Sequence, residues 1–298
     1  MKLVFLGTGG SYPSPQRNVA ATALKYKGEV LLFDCGEGTQ RQLMRSSLSF
    51  METKKIFITH FHGDHFLGIP GLIQSMKLND REDPLEIYGP KGMTDLTTIL
   101  LKLGYFNPSF EVKIQDINPG AELRFEDYTV KAVETDHGIP SLAYGFQEKN
   151  KPGRFDKQKA LDLGLPEGPL FSRIQKGHSV EVDGKTIQPE QILGPPRRGK
   201  KVVFSGDTRP SYEVIQLAEE ADVLVHEATL DESMSDKAIE FGHSSVDKAA
   251  EVARKARVNK LFLNHISPRY KDPEPLREQA IEIFDNTVIP DDLDEYEI

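Results

Sequence analysis

Thr59-His60-Phe61-His62-Gly63-Asp64-His65 places three imidazoles and a carboxylate within six residues, directly after the apolar run Ile56-Phe57-Ile58. Such a run reads as a buried strand, and imidazole with carboxylate is the donor set that suits zinc. Where a strand gives way to a helix, alternate side chains converge. The stretch therefore predicts a metal centre at a strand end in an α/β protein. One metal needs about four donors, and a pair needs six or seven with one carboxylate shared, so further ligands must come from distant sequence.

Three residues qualify. His137 follows the strand-like Thr129 to Glu134, His265 closes the run Leu261 to Leu263, and Asp207 follows Phe204-Ser205-Gly206. Taken singly, each reads equally well as a loop histidine or a turn aspartate. Their common position at strand ends, with the His60 cluster as anchor, joins them to it.

The whole chain sets the frame. Its 298 residues allow one large domain or two modest ones, and 38% apolar with 28% charged residues is a globular mixture. A chain of this size buries about three quarters of its surface, which excludes global disorder. The net charge of −9 is the wrong sign for holding a polyanion through the overall field, so any nucleic acid must meet a local patch. A lone cysteine, Cys35, excludes intramolecular disulfides and Cys-rich zinc modules and suits a reducing compartment. The opening apolar run breaks at Gly7, too early for a signal peptide, and no stretch has the length of a membrane span. A soluble cytoplasmic protein with no membrane partner is expected.

Leu3 to Leu6, Val30 to Phe33 and Ile56 to Thr59 read as buried strands; Pro70 to Leu78 and Thr94 to Leu103 read as helices, the second capped by Gly104. The opening then recurs. Lys2-Leu3-Val4-Phe5-Leu6-Gly7 resembles Lys201-Val202-Val203-Phe204-Ser205-Gly206, Val30 to Asp34 resembles Val223 to Glu227, and Lys55 to His60 resembles Lys260 to His265. Three matches in the same order suggest two related halves whose strand ends face one cleft. Between Lys149 and Gly177 periodicity fades among glycines and prolines, the mark of an insertion or arm. The acidic tail from Pro290 reads as a solvated terminus.

The cluster, with Asp34, His137, Asp207 and His265 following in order, resembles the metallo-β-lactamase superfamily. That resemblance implies a four-layer αβ/βα sandwich with metals at the edge between two sheets. It implies one zinc held by His60, His62, His137 and Asp207, and a second held by Asp64, His65, Asp207 and His265, with a hydroxide bridging the pair. Asp34 would orient a ligand imidazole. Manganese or iron would suit the same donors.

Features across nearly the whole chain are similar to the tRNase Z family. Pro13-Ser14-Pro15-Gln16-Arg17-Asn18 resembles its Pro-x-Lys-x-Arg-Asn loop, with Pro15 in place of the lysine. His226-Glu227-Ala228-Thr229 matches a family motif, and Phe241-Gly242-His243-Ser244-Ser245 resembles its partner loop. Arg269, four residues after His265, suits a phosphate oxygen. Gly168-Pro169 resembles the base of the family's flexible tRNA-binding arm, placed here at 149–178 within a single domain spanning 1–298. Between Lys149 and Lys176 seven basic residues face three acidic ones, a local +4 on an acidic protein. The resemblance implies an endoribonuclease that removes the 3′ trailer of precursor tRNA, leaving a 3′-hydroxyl on the tRNA and a 5′-phosphate on the trailer. Asp64 would orient or deprotonate the water, Glu227 and His243 would protonate the leaving oxygen, and Arg17, Asn18, Gly168, Pro169 and Arg269 would bind substrate. A homodimer is implied too. A small-molecule hydrolase of the same superfamily would share every metal ligand but has no use for the arm. A non-catalytic RNA-binding protein on this fold should have lost some of Asp64, His65, Asp207 and Glu227, and all stand here.

Overall fold

Continuous apolar runs bounded by polar turns become strands buried on both faces, and among the described residues they are the centre of two seven-stranded sheets. A computed structural model describes residues 1–103 and 107–298; the helix stop expected at Gly104 lies outside the described residues. The strands are β1 (Lys2–Gly7), β2 (Ala21–Tyr26), β3 (Glu29–Phe33), β4 (Thr53–Phe57), β5 (Leu85–Pro90), β6 (Val112–Ile117), β7 (Glu122–Arg124), β8 (Tyr128–Glu134), β9 (Leu142–Glu148), β10 (Val180–Val182), β11 (Lys185–Ile187), β12 (Lys201–Phe204), β13 (Val223–Glu227), β14 (Leu261–Asn264), β15 (Thr287–Val288) and β16 (Glu295–Glu297). The helices are α1 (Thr39–Arg45), α2 (Gly63–Phe66), α3 (Ile69–Leu78), α4 (Met93–Leu101), α5 (Lys157–Asp162), α6 (Pro169–Gln175), α7 (Tyr212–Ala218), α8 (Ser235–Glu240), α9 (Val246–Ala256) and α10 (Glu274–Ile281).

The chain forms two compact units. The first comprises Met1–Arg124, Val130–Phe146 and Lys201–Ile298; the second comprises Phe125–Thr129 and Gln147–Lys200. In the first unit one sheet runs in the order β16-β1-β2-β3-β4-β5-β6 and the other in the order β15-β14-β13-β12-β9-β8-β7. The inner faces meet through aromatic rings. Phe33 stacks on Phe204 with centroids 3.6 Å apart, Phe5 lies 5.0 Å from Phe262, and Tyr144 donates its hydroxyl to the Ile58 carbonyl at 2.8 Å. On the outer face of the first sheet α3 buries Ile69, Leu72, Ile73 and Met76, one stripe at helical spacing, with Pro70 in its first turn. On the outer face of the second, α9 buries Val246, Ala249, Ala250, Ala253 and Ala256. Helices, sheet, sheet and helices make the expected four layers.

Each sheet holds a run of four parallel strands, β3 to β6 in one and β12 to β15 in the other. The two halves are therefore alike, but the strand-by-strand match differs from the one read in sequence. β12 begins a parallel run as β3 does, whereas its sequence look-alike β1 lies antiparallel between β2 and β16. Buried strands share a composition whatever their neighbours, so composition alone misassigned the partner.

The acidic tail is not a solvated terminus. β16 pairs with β1, and the Asp292 carboxylate accepts from the Thr8 amide and hydroxyl, the Asn18 amide and the Gln42 side chain.

The second unit shows what local periodicity hid. Ala160, Leu165, Ile174, Val180, Ile187 and Ile192 make a small core, roofed by α5, α6 and the β10-β11 hairpin. Lys151 and Phe155 bridge antiparallel to Arg197 and Leu193, so the two chain legs run side by side. They approach so closely that a Cβ on Gly153 would lie 1.8 Å from the Gly194 carbonyl.

Candidate metal centre

Parallel strands end together, and loops leaving their carboxyl ends form the cleft in which α/β proteins bind ligands. Asp34 follows β3, His60 to His65 follow β4, Asp207 follows β12, Glu227 ends β13 and His265 follows β14. Asp34 and His265 hold φ of 61° and 58°, a left-handed backbone that costs about 1–2 kcal/mol for a residue with a Cβ. Both tolerate it where the chain must turn sharply from strand to site.

The donor atoms converge. Ligand atoms of His60, His62, His137 and Asp207 lie within 4.8 Å of one another, as do those of Asp64, His65 and His265. Asp207 lies between the sets, its Oδ2 being 3.7 Å from His60 Nε2, 3.8 Å from His137 Nε2 and 3.3 Å from both His65 Nε2 and His265 Nε2.

Hydrogen bonds on the far side of four of the five ligand rings put the proton on Nδ1. His65 Nδ1 donates to Asp34 Oδ2 at 2.7 Å and His137 Nδ1 donates to the Gly242 carbonyl at 2.7 Å. The Thr59 hydroxyl donates to Asp34, so its oxygen accepts from His60 Nδ1 at 3.0 Å. The Thr229 hydroxyl likewise donates to Glu227 and accepts from His265 Nδ1 at 2.9 Å. In the neutral, metal-ready rings these four Nε2 atoms therefore carry lone pairs facing inward. They lie close to other ligand nitrogens: His60 Nε2 and His137 Nε2 are 3.0 and 3.1 Å from His62 Nδ1, and His65 Nε2 is 3.3 Å from His265 Nε2. Nitrogens so close together need a cation among them, a proton or a metal ion. The donor set therefore fits divalent metal, with far-side partners that hold the ligand rings in place.

Electrostatics agree. Burial alone would raise the pKa of Asp64 and Asp207, yet the neighbouring histidines hold both below the ordinary carboxylate range. Burial would lower the pKa of His65, but Asp207 and Asp34 more than offset it, so in the absence of metal this ring holds a proton that a metal ion would displace. Burial pushes His60 well below 6.5, as suits a neutral ligand. Beside the cluster, His243 Nδ1 sits 3.0 Å from Glu227 Oε1 and 3.8 Å from Asp207 Oδ2. Despite burial, Glu227 raises the His243 pKa to about 9.

Of the residues expected to bind substrate, Arg269 is exposed, touching Ser267 Oγ and Met234 Sδ. Asn18 donates its side-chain amide to the Glu37 carbonyl. Arg17 is turned inward. Its guanidinium contacts Thr8 Oγ1, the Pro290 carbonyl and Asp291, so it clamps the loop to the tail rather than offering a free cation. Gly168 and Pro169 stand in the second unit, where they open α6.

Sequence reasoning passed over Thr59, Thr229 and Gly242, all inside quoted motifs. A hydroxyl relay from imidazole to carboxylate was readable for neither threonine, and the Gly242 contact is made by backbone.

A family described as Anti-Pycsar protein Apyc1 matches residues 1–151. The metallo-beta-lactamase fold protein YhfI from Bacillus subtilis superposes with a TM-score of 0.72 at 18% identity, covering 100% of this chain and 98% of that one. Fold and donor set together define a metallo-β-lactamase fold hydrolase. Ribonuclease Z of Methanosarcina acetivorans is 46% identical over 100% of this chain and 98% of its own length. The short form of human tRNase Z is 32% identical, with a TM-score of 0.74 over 100% of this chain and 99% of that one. The chain belongs to the ribonuclease Z family, and its activity is that of an endoribonuclease. Among the described residues no helix is long and apolar enough to cross a membrane.

Proposed function

We propose that this enzyme removes the 3′ trailer of precursor tRNA, using two zinc ions per chain. The observation that carries the reading is the Glu227–His243 pair, 3.0 Å apart and buried beside the donor cluster, in a chain related over its full length to ribonuclease Z. His60, His62, His137 and Asp207 would hold one ion; Asp64, His65 and His265, with Asp207 shared, would hold the other. Manganese or iron would suit the same donors. Bound there, the pair supplies Lewis acidity to a phosphodiester and water of lowered pKa.

The chain's own groups do the rest. Asp64 accepts from the attacking water and orients it. His243, kept protonated by Glu227, gives its proton to the departing 3′-oxygen as the P–O3′ bond breaks. The tRNA keeps a 3′-hydroxyl and the trailer a 5′-phosphate. Arg269 suits a phosphate oxygen, and Asn18 lies on the loop that Arg17 holds in place.

The second unit, including the arm at 149–178 with its Gly168-Pro169 helix start, would bind the body of the tRNA. Residues 147–200 carry eleven Lys and Arg against seven Asp and Glu, in a protein of net charge −9. A homodimer and a cytoplasmic location complete the proposal; exposed Met44, Leu78 and Ile99 offer apolar surface for self-association.

Incubation with a 3′-extended precursor tRNA, with product end groups identified, tests the reading. A cut at the acceptor end yielding a tRNA 3′-hydroxyl is expected, abolished by chelator. Intact precursor with metal supplied, while bis(p-nitrophenyl) phosphate is hydrolysed, would make this a small-molecule hydrolase instead.

A further inference from the structure

We propose that Tyr12 and Phe241 are stacking residues that grip the nucleobases on either side of the scissile phosphate, an inference that rests on the RNA-cleaving reading above. Both side chains are 62% exposed, on loops whose neighbouring residues touch the cluster. Tyr12 follows Ser11, whose amide donates to Asp64 Oδ2 at 2.8 Å from a left-handed backbone of φ 67°. Phe241 precedes Gly242, whose carbonyl accepts from His137 Nδ1, and stands two residues before His243. Each ring is therefore tied by one or two residues of chain to a group at the metal centre. The two loops come from opposite ends of the sequence and reach the same cleft.

Exposed apolar residues are ordinary when scattered singly; what sets these two apart is their tether to the metal centre, and neither ring has a ring partner among the described residues. The cleft floor is a set of imidazoles and carboxylates fit for metal and phosphate. A flat apolar group on a loop tied to such a floor matches a nucleobase. Stacking is blind to base identity, which suits an enzyme meeting many sequences.

The chemistry assigns the sides. The departing 3′-oxygen belongs to the nucleoside upstream of the cut and lies toward Glu227 and His243, so Phe241 takes the upstream base. The downstream nucleoside, joined through the 5′-oxygen, runs away from that pair along the cleft, which leaves it to Tyr12 on the Asp64 side.

The test pairs side chain against base. Precursor tRNAs intact, or abasic at the nucleotide just before or just after the cut, are cleaved by wild type and by Tyr12→Ala and Phe241→Ala. Each variant should lose about tenfold in kcat/KM on intact precursor, the scale of one base–aromatic stack. Phe241→Ala should lose nothing more on the upstream-abasic substrate, nor Tyr12→Ala on the downstream-abasic one. Tyr12→Phe and Phe241→Tyr should keep the rate, while the leucine variants should not. Equal losses on intact and abasic substrates, or full activity in the leucine variants, would overturn the stacking role. Failure of wild type to cut any precursor would instead overturn the RNA reading, and this one with it.

Discussion

His137 donates its Nδ1–H to the carbonyl of Gly242 at 2.7 Å, and since a carbonyl can only accept, the imidazole Nε2 must present its lone pair to the cluster. Gly242 holds φ +83°, and a Cβ there would lie 2.7 Å from the His137 carbonyl oxygen and 3.0 Å from His137 Nδ1. Gly242→Ala should therefore push the ring and weaken divalent metal binding about tenfold or more, as loss of an outer partner does elsewhere. Calorimetric titration of zinc into chelator-treated protein would measure it. Unchanged affinity would mean that the carbonyl does not hold the ring.

Asp34 makes the corresponding contact for His65 and, through the Thr59 hydroxyl, for His60. Asp34→Ala removes both supports at once. Metal should then be lost to a competing chelator at roughly 10–100-fold lower chelator concentration, with Thr59→Val giving a smaller effect confined to the His60 relay.

The raised pKa of His243 has a sign that can be checked in chelator-treated protein. Its folded value of about 9 exceeds the ordinary 6.5, so the stabilisation is fully present below 6.5 and lost as pH rises through 9. The imidazole proton followed by NMR should titrate near the upper value. Glu227→Gln should return it toward 6.5, because Glu227, more than Asp207, is what opposes burial.

Arg17 and the tail form one buried polar knot, so Asp292→Ala should act on stability before chemistry. It leaves the Thr8 and Asn18 amides and the Gln42 side chain without their shared acceptor. A loss of about 2–4 kcal/mol in denaturant unfolding is expected. A change below 0.5 kcal/mol would show that these donors find other partners.

Cys35 is wholly buried, and burial pushes its thiol pKa up to about 12. It should stay unmodified by thiol reagents at pH 8 in the folded protein and react once on unfolding. Rapid native labelling would mean that the loop joining Asp34 to α1 opens.

Reading the sequence worked where the chemistry was local. Six residues from His60 to His65 announce a metal site because no ordinary turn collects that many donors, and Glu227 and His243 stood out by motif. Arg17 misled for the reverse reason. An arginine in a polar loop looks free until the tail, some 270 residues later, folds back onto it. The second unit was likewise obscured, because its core takes single apolar residues from several short elements rather than a periodic stripe.

The sequence by itself determined the donor types, the strands that carry them and the α/β class, since periodicity and ligand chemistry are properties of neighbouring residues. Only the tertiary structure decided which ring nitrogen faces inward, that Arg17 is taken up by the tail, and that the strand equivalent to β12 is β3 rather than β1. These depend on contacts between residues far apart in the chain. Such contacts come from packing one sheet on another, and no local pattern encodes them.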